Sequence, residues 1–215
     1  GDIEVAIDNL RKSGQAKAAK KAGNIAADGA IIVAKEGNVA ILLEVNSQTD
    51  FVAKDDNFSN FANKVAKAAL AARETDIEKI AALTIDGQSV EEARVALVQK
   101  IGENIQVRRA QLVEGAVLAT YIHGIKIGVV VAMEGGSEEL ARDVAMHIAA
   151  AKPEAIAPEN VSPAVIAKER EIAAAKAAES GKPANIVEKM VEGTVKKFLS
   201  EVSLVEQAFV KDPET

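Results

Sequence analysis

Two β-rich runs, Ala30-Ile31-Ile32-Val33-Ala34-Lys35 and residues 39–45, flank Glu36-Gly37-Asn38 and narrow the possible folds more than anything else in this chain. Branched apolar residues on both sides of a glycine-centred turn predict an antiparallel hairpin. The second run ends in Asn46-Ser47-Gln48, turn-compatible residues that stop the strand, and Asp55-Asp56-Asn57 then supplies helix-start chemistry. Asp50 and Phe51 lie between those two signals. Aromatics make up only 3% of the chain, and Phe51 falls on no periodic apolar face. An exposed loop tip is therefore predicted for it. An aromatic beside an acid on a loop is suited to entering a partner's cleft.

Residues 2–10 carry Ile3, Ala6, Ile7 and Leu10 at helical spacing and predict one short amphipathic helix. Residues 11–23 hold five basic side chains and no acids, and suit either a solvated linker or helix or a basic binding surface. Phe58, Phe61, Val65 and Ala69 mark a helix whose phenylalanines belong to a core. Residues 76–83 suggest a short helical turn or small helix. Ser89 with Glu92 forms a capping box ahead of Val90, Ala93, Leu97, Val98 and Ile101. Gly102 suits the left-handed position past that helix, and residues 105–113 predict a third strand. The plan then recurs: residues 117–121 and 125–133 form a second hairpin around His123-Gly124, followed by a helix bearing Leu140, Val144, His147, Ile148 and Ala151. By analogy the second sheet needs a third strand, for which residues 203–210 are the available segment. Ser162 and Pro163 start an alanine-rich helix to about Glu179, Ser180-Gly181-Lys182-Pro183 breaks it, and residues 184–200 form another. This pair is either a projecting antiparallel arm or a helix pair within a globular domain.

The expected fold class is α+β: two related subdomains, each an antiparallel hairpin-based sheet with helices, plus a helical hairpin (antiparallel coiled coil) insertion. The expected divisions are residues 1–23 (helical remnant and basic linker), 24–114 (first core subdomain), 115–161 (first part of the second), 162–200 (arm) and 201–215 (return to the second core subdomain, truncated).

A chain of 215 residues with 48% hydrophobic content can bury a real core in one large or two small domains. The net charge of -6 argues against a general nucleic-acid binder. The lack of cysteine removes disulfides, thiol catalysis and cysteine-based metal sites, and fits a cytoplasmic protein. No apolar run approaches the roughly 20 residues that span a bilayer, and no signal peptide is visible. Asp50 with His123 offers an acid–base pair, and Ser47 or Ser203 a hydroxyl nucleophile, yet nothing in their spacing brings them together. No Gly-x-Ser-x-Gly elbow or His-Glu-x-x-His motif is present. Gly181-Lys182-Pro183 lacks the upstream glycine and the strand-to-helix setting of a phosphate loop. The expectation is no enzyme, no catalytic residue, no metal ligand and no cofactor. RNA binding through residues 11–21 or Lys196-Lys197 is opposed by the acidic balance and the shortage of stacking aromatics. His147, on an apolar helix face, reads as a core residue, and His123 as an exposed turn residue.

The run Gln48-Thr49-Asp50-Phe51-Val52-Ala53-Lys54 resembles the signature of bacterial elongation factor Ts, the nucleotide exchange factor for elongation factor Tu. Arg11-Lys12-Ser13-Gly14, Lys17-Ala18-Ala19-Lys20-Lys21-Ala22-Gly23, Lys100-Ile101-Gly102-Glu103-Asn104-Ile105, Tyr121-Ile122-His123-Gly124, Met146-His147-Ile148-Ala149-Ala150 and Gly181-Lys182-Pro183 match in the family's order. The resemblance implies that Asp50 and Phe51 enter near the magnesium site of the GTPase, Phe51 as a wedge and Asp50 as a group disfavouring the metal-bound arrangement. It implies further contacts with the nucleotide-binding domain through Ile101, Gly102 and His123. On the residues alone, helix-end packing explains Ile101 and a helix cap explains Gly102 equally well. The implied partner is elongation factor Tu, GDP-bound and nucleotide-free, in a one-to-one or paired complex, with no direct nucleic acid and no membrane. The family pattern also has a helical module before Gly1 and more chain after Thr215, so a fragment is expected. The alternative is an α+β interaction module with an unknown partner and no exchange activity.

Overall fold

The computed structural model describes residues 1–215. Helix α1 spans Ile3–Lys21, with the Asp2 carboxylate accepting the Glu4 N–H at 3.0 Å and Lys20 and Lys21 in its last turn, where the helix dipole favours cations. The short helix predicted for residues 2–10 thus runs on through the basic segment. Nothing there breaks it before Gly23, and Gly14 and Ala18 are buried in its contact with a later helix.

Strands β1 (Asp28–Glu36) and β2 (Val39–Ser47) form the predicted hairpin, followed by α2 (Asp50–Ala53), α3 (Asp56–Ala72) and α4 (Ile77–Ala81). The two-residue strands β3 (Thr84–Ile85) and β4 (Gln88–Ser89) lead into α5 (Val90–Ile101), whose Ser89–Glu92 capping box is formed reciprocally. Strand β5 (Gln106–Glu114) completes a three-stranded antiparallel sheet of order β1-β2-β5. Ile32, Ile41, Leu43 and Val45 on one face of this sheet meet Phe58, Phe61, Val65 and Ala69 of α3, and all eight are buried in one core cluster. Alternation across the pleat puts Ile31, Val33 and Leu42 on the other face.

Strands β6 (Val117–His123) and β7 (Ile127–Met133) form the second hairpin, and α6 spans Glu138–Ala151. Gly128 of β7 lies against Ile31, Val33 and Leu42, where an added Cβ would stand 2.5 Å from Ile31 Cγ2. That close approach lets the hairpin cover the sheet's second face. The β6–β7 sheet has two strands only. Residues 203–210 supply no third: they form the 3-10 turn Leu204–Glu206, while the Ser203 hydroxyl donates to Leu199 O and the Val210 N–H to His147 Nδ1.

The chain divides into two compact units, Gly1–Ala145 and Met146–Thr215. In the second, α7 (Pro163–Ala178) and α8 (Ala184–Val202) pack through Ala173, Ala177, Val191 and Val195. His147 is buried there, 3% exposed, with its ring tilted against Phe209. Since Nδ1 accepts from Val210, Nε2 carries the proton and donates to Gln207 Oε1 at 3.0 Å. The architecture is α+β. No helix is long and apolar enough to cross a membrane.

Candidate partner-binding site

Strand β2 stays buried to Ser47, and the chain then turns outward through Gln48 and Thr49. Thr49 caps α2, its side chain accepting the Val52 N–H at 3.4 Å. The expected loop tip is therefore a single helical turn. Its inner side is anchored by buried Ala53 and half-buried Val52, which packs on the core. Phe51 projects from the opposite side and is 83% exposed. Asp50 is ion-paired with Lys54 at 3.1 Å, one helical turn later.

A second segment meets this turn. Helix α5 ends at Ile101, half-buried against the core, and Gly102 follows in the left-handed conformation with φ 86°. The chain reverses there, and Glu103 and Asn104 come to face Gln48 and Thr49. Glu103 Oε2 accepts the backbone N–H groups of Gln48 and Thr49, each at 3.0 Å, and Oε1 accepts the Thr49 hydroxyl at 2.7 Å. The Asn104 N–H donates to Gln48 Oε1 at 2.7 Å, and its side-chain amide to Asn24 O at 2.8 Å. Asn24 Nδ2 reaches the same Gln48 oxygen at 3.1 Å. Three connections distant in sequence are thereby joined, and Asp50–Phe51 is brought beside Ile101–Gly102.

His123 ends β6, exposed, with its ring stacked on Tyr121 at 6.3 Å and Nδ1 3.3 Å from the Tyr121 hydroxyl. The tip of that hairpin is tied to the start of β1: the Ile31 N–H donates to Ile125 O at 2.7 Å, and Lys126 pairs with Asp28 at 3.2 Å. Asp28 in turn pairs in register with Ser47, and Asn46 with Gln106. Asp50, Phe51, Ile101, Gly102 and His123 consequently stand at one end of the three-stranded sheet. The Gly29 N–H bonded to its carboxylate, together with Lys126, holds the Asp28 carboxyl below its ordinary range.

Nothing in the sequence signals the roles of Gln48, Glu103, Asn104 and Asn24. All but Asn24 lie in motifs quoted above, yet hydrogen bonds across 24 to 80 positions leave no periodicity to read. Nor does the site assemble three or more histidine or carboxylate side chains able to hold a metal ion. The surface offers an apolar prong, an adjacent carboxylate and an exposed imidazole on backbone held by hydrogen bonds, which is chemistry for docking.

The family model described as Elongation factor TS matches residues 48–215, the segment that begins at the turn carrying Asp50 and Phe51. The chain belongs to the elongation factor Ts family. An elongation factor Ts of Psychrobacter sp. (strain PRwf-1) is 66% identical over 215 residues, covering 100% of this chain and 74% of the relative. One from Acinetobacter baylyi is 68% identical over 213 residues (99% and 73%), and one from Acinetobacter baumannii 69% over 215 (100% and 74%). Membership of the elongation factor Ts family places the chain among the translation elongation factors of protein biosynthesis.

Proposed function

We propose that this chain is a cytoplasmic guanine-nucleotide exchange factor for elongation factor Tu, acting by displacement and performing no covalent chemistry of its own. The observation that carries the proposal is Phe51, a large aromatic held almost wholly in solvent by a helical turn whose other side is anchored in the core. An exposed aromatic on a braced backbone loses little conformational freedom when it enters a pocket. Phe51 is the wedge that shifts the partner's nucleotide site. Asp50 exchanges its Lys54 ion pair for groups near the magnesium ion and disfavours the metal-bound arrangement. Ile101, Gly102 and His123, at the same end of the sheet, supply further contacts with the nucleotide-binding domain.

Coupling is reciprocal: if the chain weakens GDP binding by some factor, GDP weakens binding of the chain by that same factor. Both the GDP-bound and nucleotide-free forms of the GTPase are therefore partners, with unequal affinity. Calorimetric titration into each form tests this. Tighter binding to the nucleotide-free form is expected. Equal affinity for both forms would mean no coupling and would end the proposal.

A further inference from the structure

Phe51 is 83% exposed, so contacts of its own side chain do not fix where the ring points. Its position rests on the backbone of α2, and thus on what holds Gln48 and Thr49. Ser47 is fully buried, and its hydroxyl donates to Thr49 O at 2.8 Å, which fixes one side of the turn. The other side is held by one carboxylate. Glu103 takes three donors, two backbone N–H groups on one oxygen and the Thr49 hydroxyl on the other. Hydrogen bonds to an ionised acceptor are about twice as strong as neutral ones, and three converging donors define an orientation that one or two would not.

Helix-capping needs do not account for this arrangement. Thr49 already caps α2 with its own oxygen, and Gly102 ends α5 by donating to Val98 O at 2.8 Å. Glu103 lies one residue beyond that cap, and its carboxylate reaches to a turn 54 positions earlier in the chain. It also directly follows Ile101 and Gly102. The same side chain therefore ties the Asp50–Phe51 turn to the second proposed contact patch.

We infer that Glu103 is the positioning residue of the Phe51 tip: it presets the turn so that binding energy gained elsewhere drives the ring into its pocket instead of ordering the loop. The inference rests on the exchange reading above. It predicts a division of effects. Loss of Glu103 should slow nucleotide release within the assembled complex far more than it weakens assembly, because the proposed contacts through Ile101, Gly102 and His123 remain.

The test uses the full chain and release of a fluorescent GDP analogue from elongation factor Tu, with the factor concentration varied to saturation. Glu103→Gln keeps size but replaces one acceptor oxygen by a donor facing donors. Its maximal release rate should fall about tenfold, the scale of one charge-assisted hydrogen bond, with the half-saturating concentration changed less than about twofold. In a Phe51→Ala background, Glu103→Gln should add less than about twofold, since a positioning residue has nothing left to position. Amide hydrogen exchange should quicken at Gln48 and Thr49 while α3 stays protected. Thr49→Ser, which keeps both the α2 cap and the bond to Glu103, should behave like wild type, whereas Thr49→Val loses both together and should lose part of the maximal rate. Glu103→Asp, which keeps the charge but shortens the reach to Gln48 and Thr49, carries the test if Glu103→Gln fails to fold.

A maximal rate unchanged in Glu103→Gln overturns the inference. So does a full tenfold loss on top of Phe51→Ala, which would make Glu103 an independent contact. A raised half-saturating concentration at unchanged maximal rate does the same. If wild type itself does not accelerate release, the exchange reading fails first and takes this inference with it.

Discussion

Replacing Phe51 by alanine should separate surface chemistry from folding, and the contrast with Phe58 gives the experiment its scale. Burying a phenylalanine fully is worth roughly 1.5–3 kcal/mol. Phe51 is 83% exposed, so only about a sixth of that transfer is at stake, some ~0.5 kcal/mol at most. In a chain of this size 1 kcal/mol moves the midpoint of thermal unfolding by about 2–4 °C. Phe51→Ala should therefore melt within about 2 °C of wild type. Phe58, fully buried against the sheet, should cost about 3–5 kcal/mol on the same change and lower the midpoint by on the order of 10 °C. Far-ultraviolet circular dichroism is the appropriate readout, because the chain has no tryptophan and one tyrosine. Binding should show the reverse order. A central aromatic anchor contributes about 2 kcal/mol or more to an interface, so Phe51→Ala should lose about thirtyfold in its effect on the partner. A Phe51→Ala midpoint as low as that of Phe58→Ala would make Phe51 a core residue and refute the reasoning.

Gly102→Ala should cost about 1–2 kcal/mol in backbone strain alone, because an added Cβ meets nothing within 4 Å and only the φ of 86° opposes it. Gly102→Asn tolerates that conformation and should recover most of the melting loss, yet it should still weaken partner binding if Gly102 lies in the interface; full recovery of both would leave only a helix cap. The depressed Asp28 carboxyl contributes stability that is complete above its ordinary value of 3.8 and is lost as pH falls through the lower folded value. Lys126→Met should raise the Asp28 titration midpoint in carbon-detected NMR, and an unmoved midpoint would remove Lys126 as a cause. Deleting residues 162–200 should leave Gly1–Ala145 melting cooperatively, since that unit has its own core; loss of its transition would show otherwise.

What sequence could reveal depended on whether an interaction repeats. Phe58, Phe61, Val65 and Ala69 announce α3 because one apolar stripe faces one sheet, and Ser89 with Glu92 announces α5 because a capping box has fixed spacing. Phe51 was legible for the opposite reason, as an aromatic that no stripe could use. A helix was one of the readings open for residues 11–23, but its union with residues 2–10 into a single α1 was not legible, because Gly14 and Ala18 make the contact with α5 through small side chains that give no hydrophobic signal. The α2 turn was too short for periodicity. Residues 203–210 form no third strand because the buried His147 imidazole takes the Val210 N–H, which an analogy between two hairpins does not encode. Glu103 was the hardest to see, since its bonds join turns 54 and 55 positions apart and depend on the sheet's register.

The central claim is that Phe51 promotes nucleotide release. Its most direct test is the rate at which a fluorescent GDP analogue leaves elongation factor Tu against excess unlabelled nucleotide, with wild type and Phe51→Ala compared at saturating concentration. The account predicts strong acceleration by wild type and near loss of it in Phe51→Ala, with the variant still folded. Equal acceleration by both proteins would contradict it.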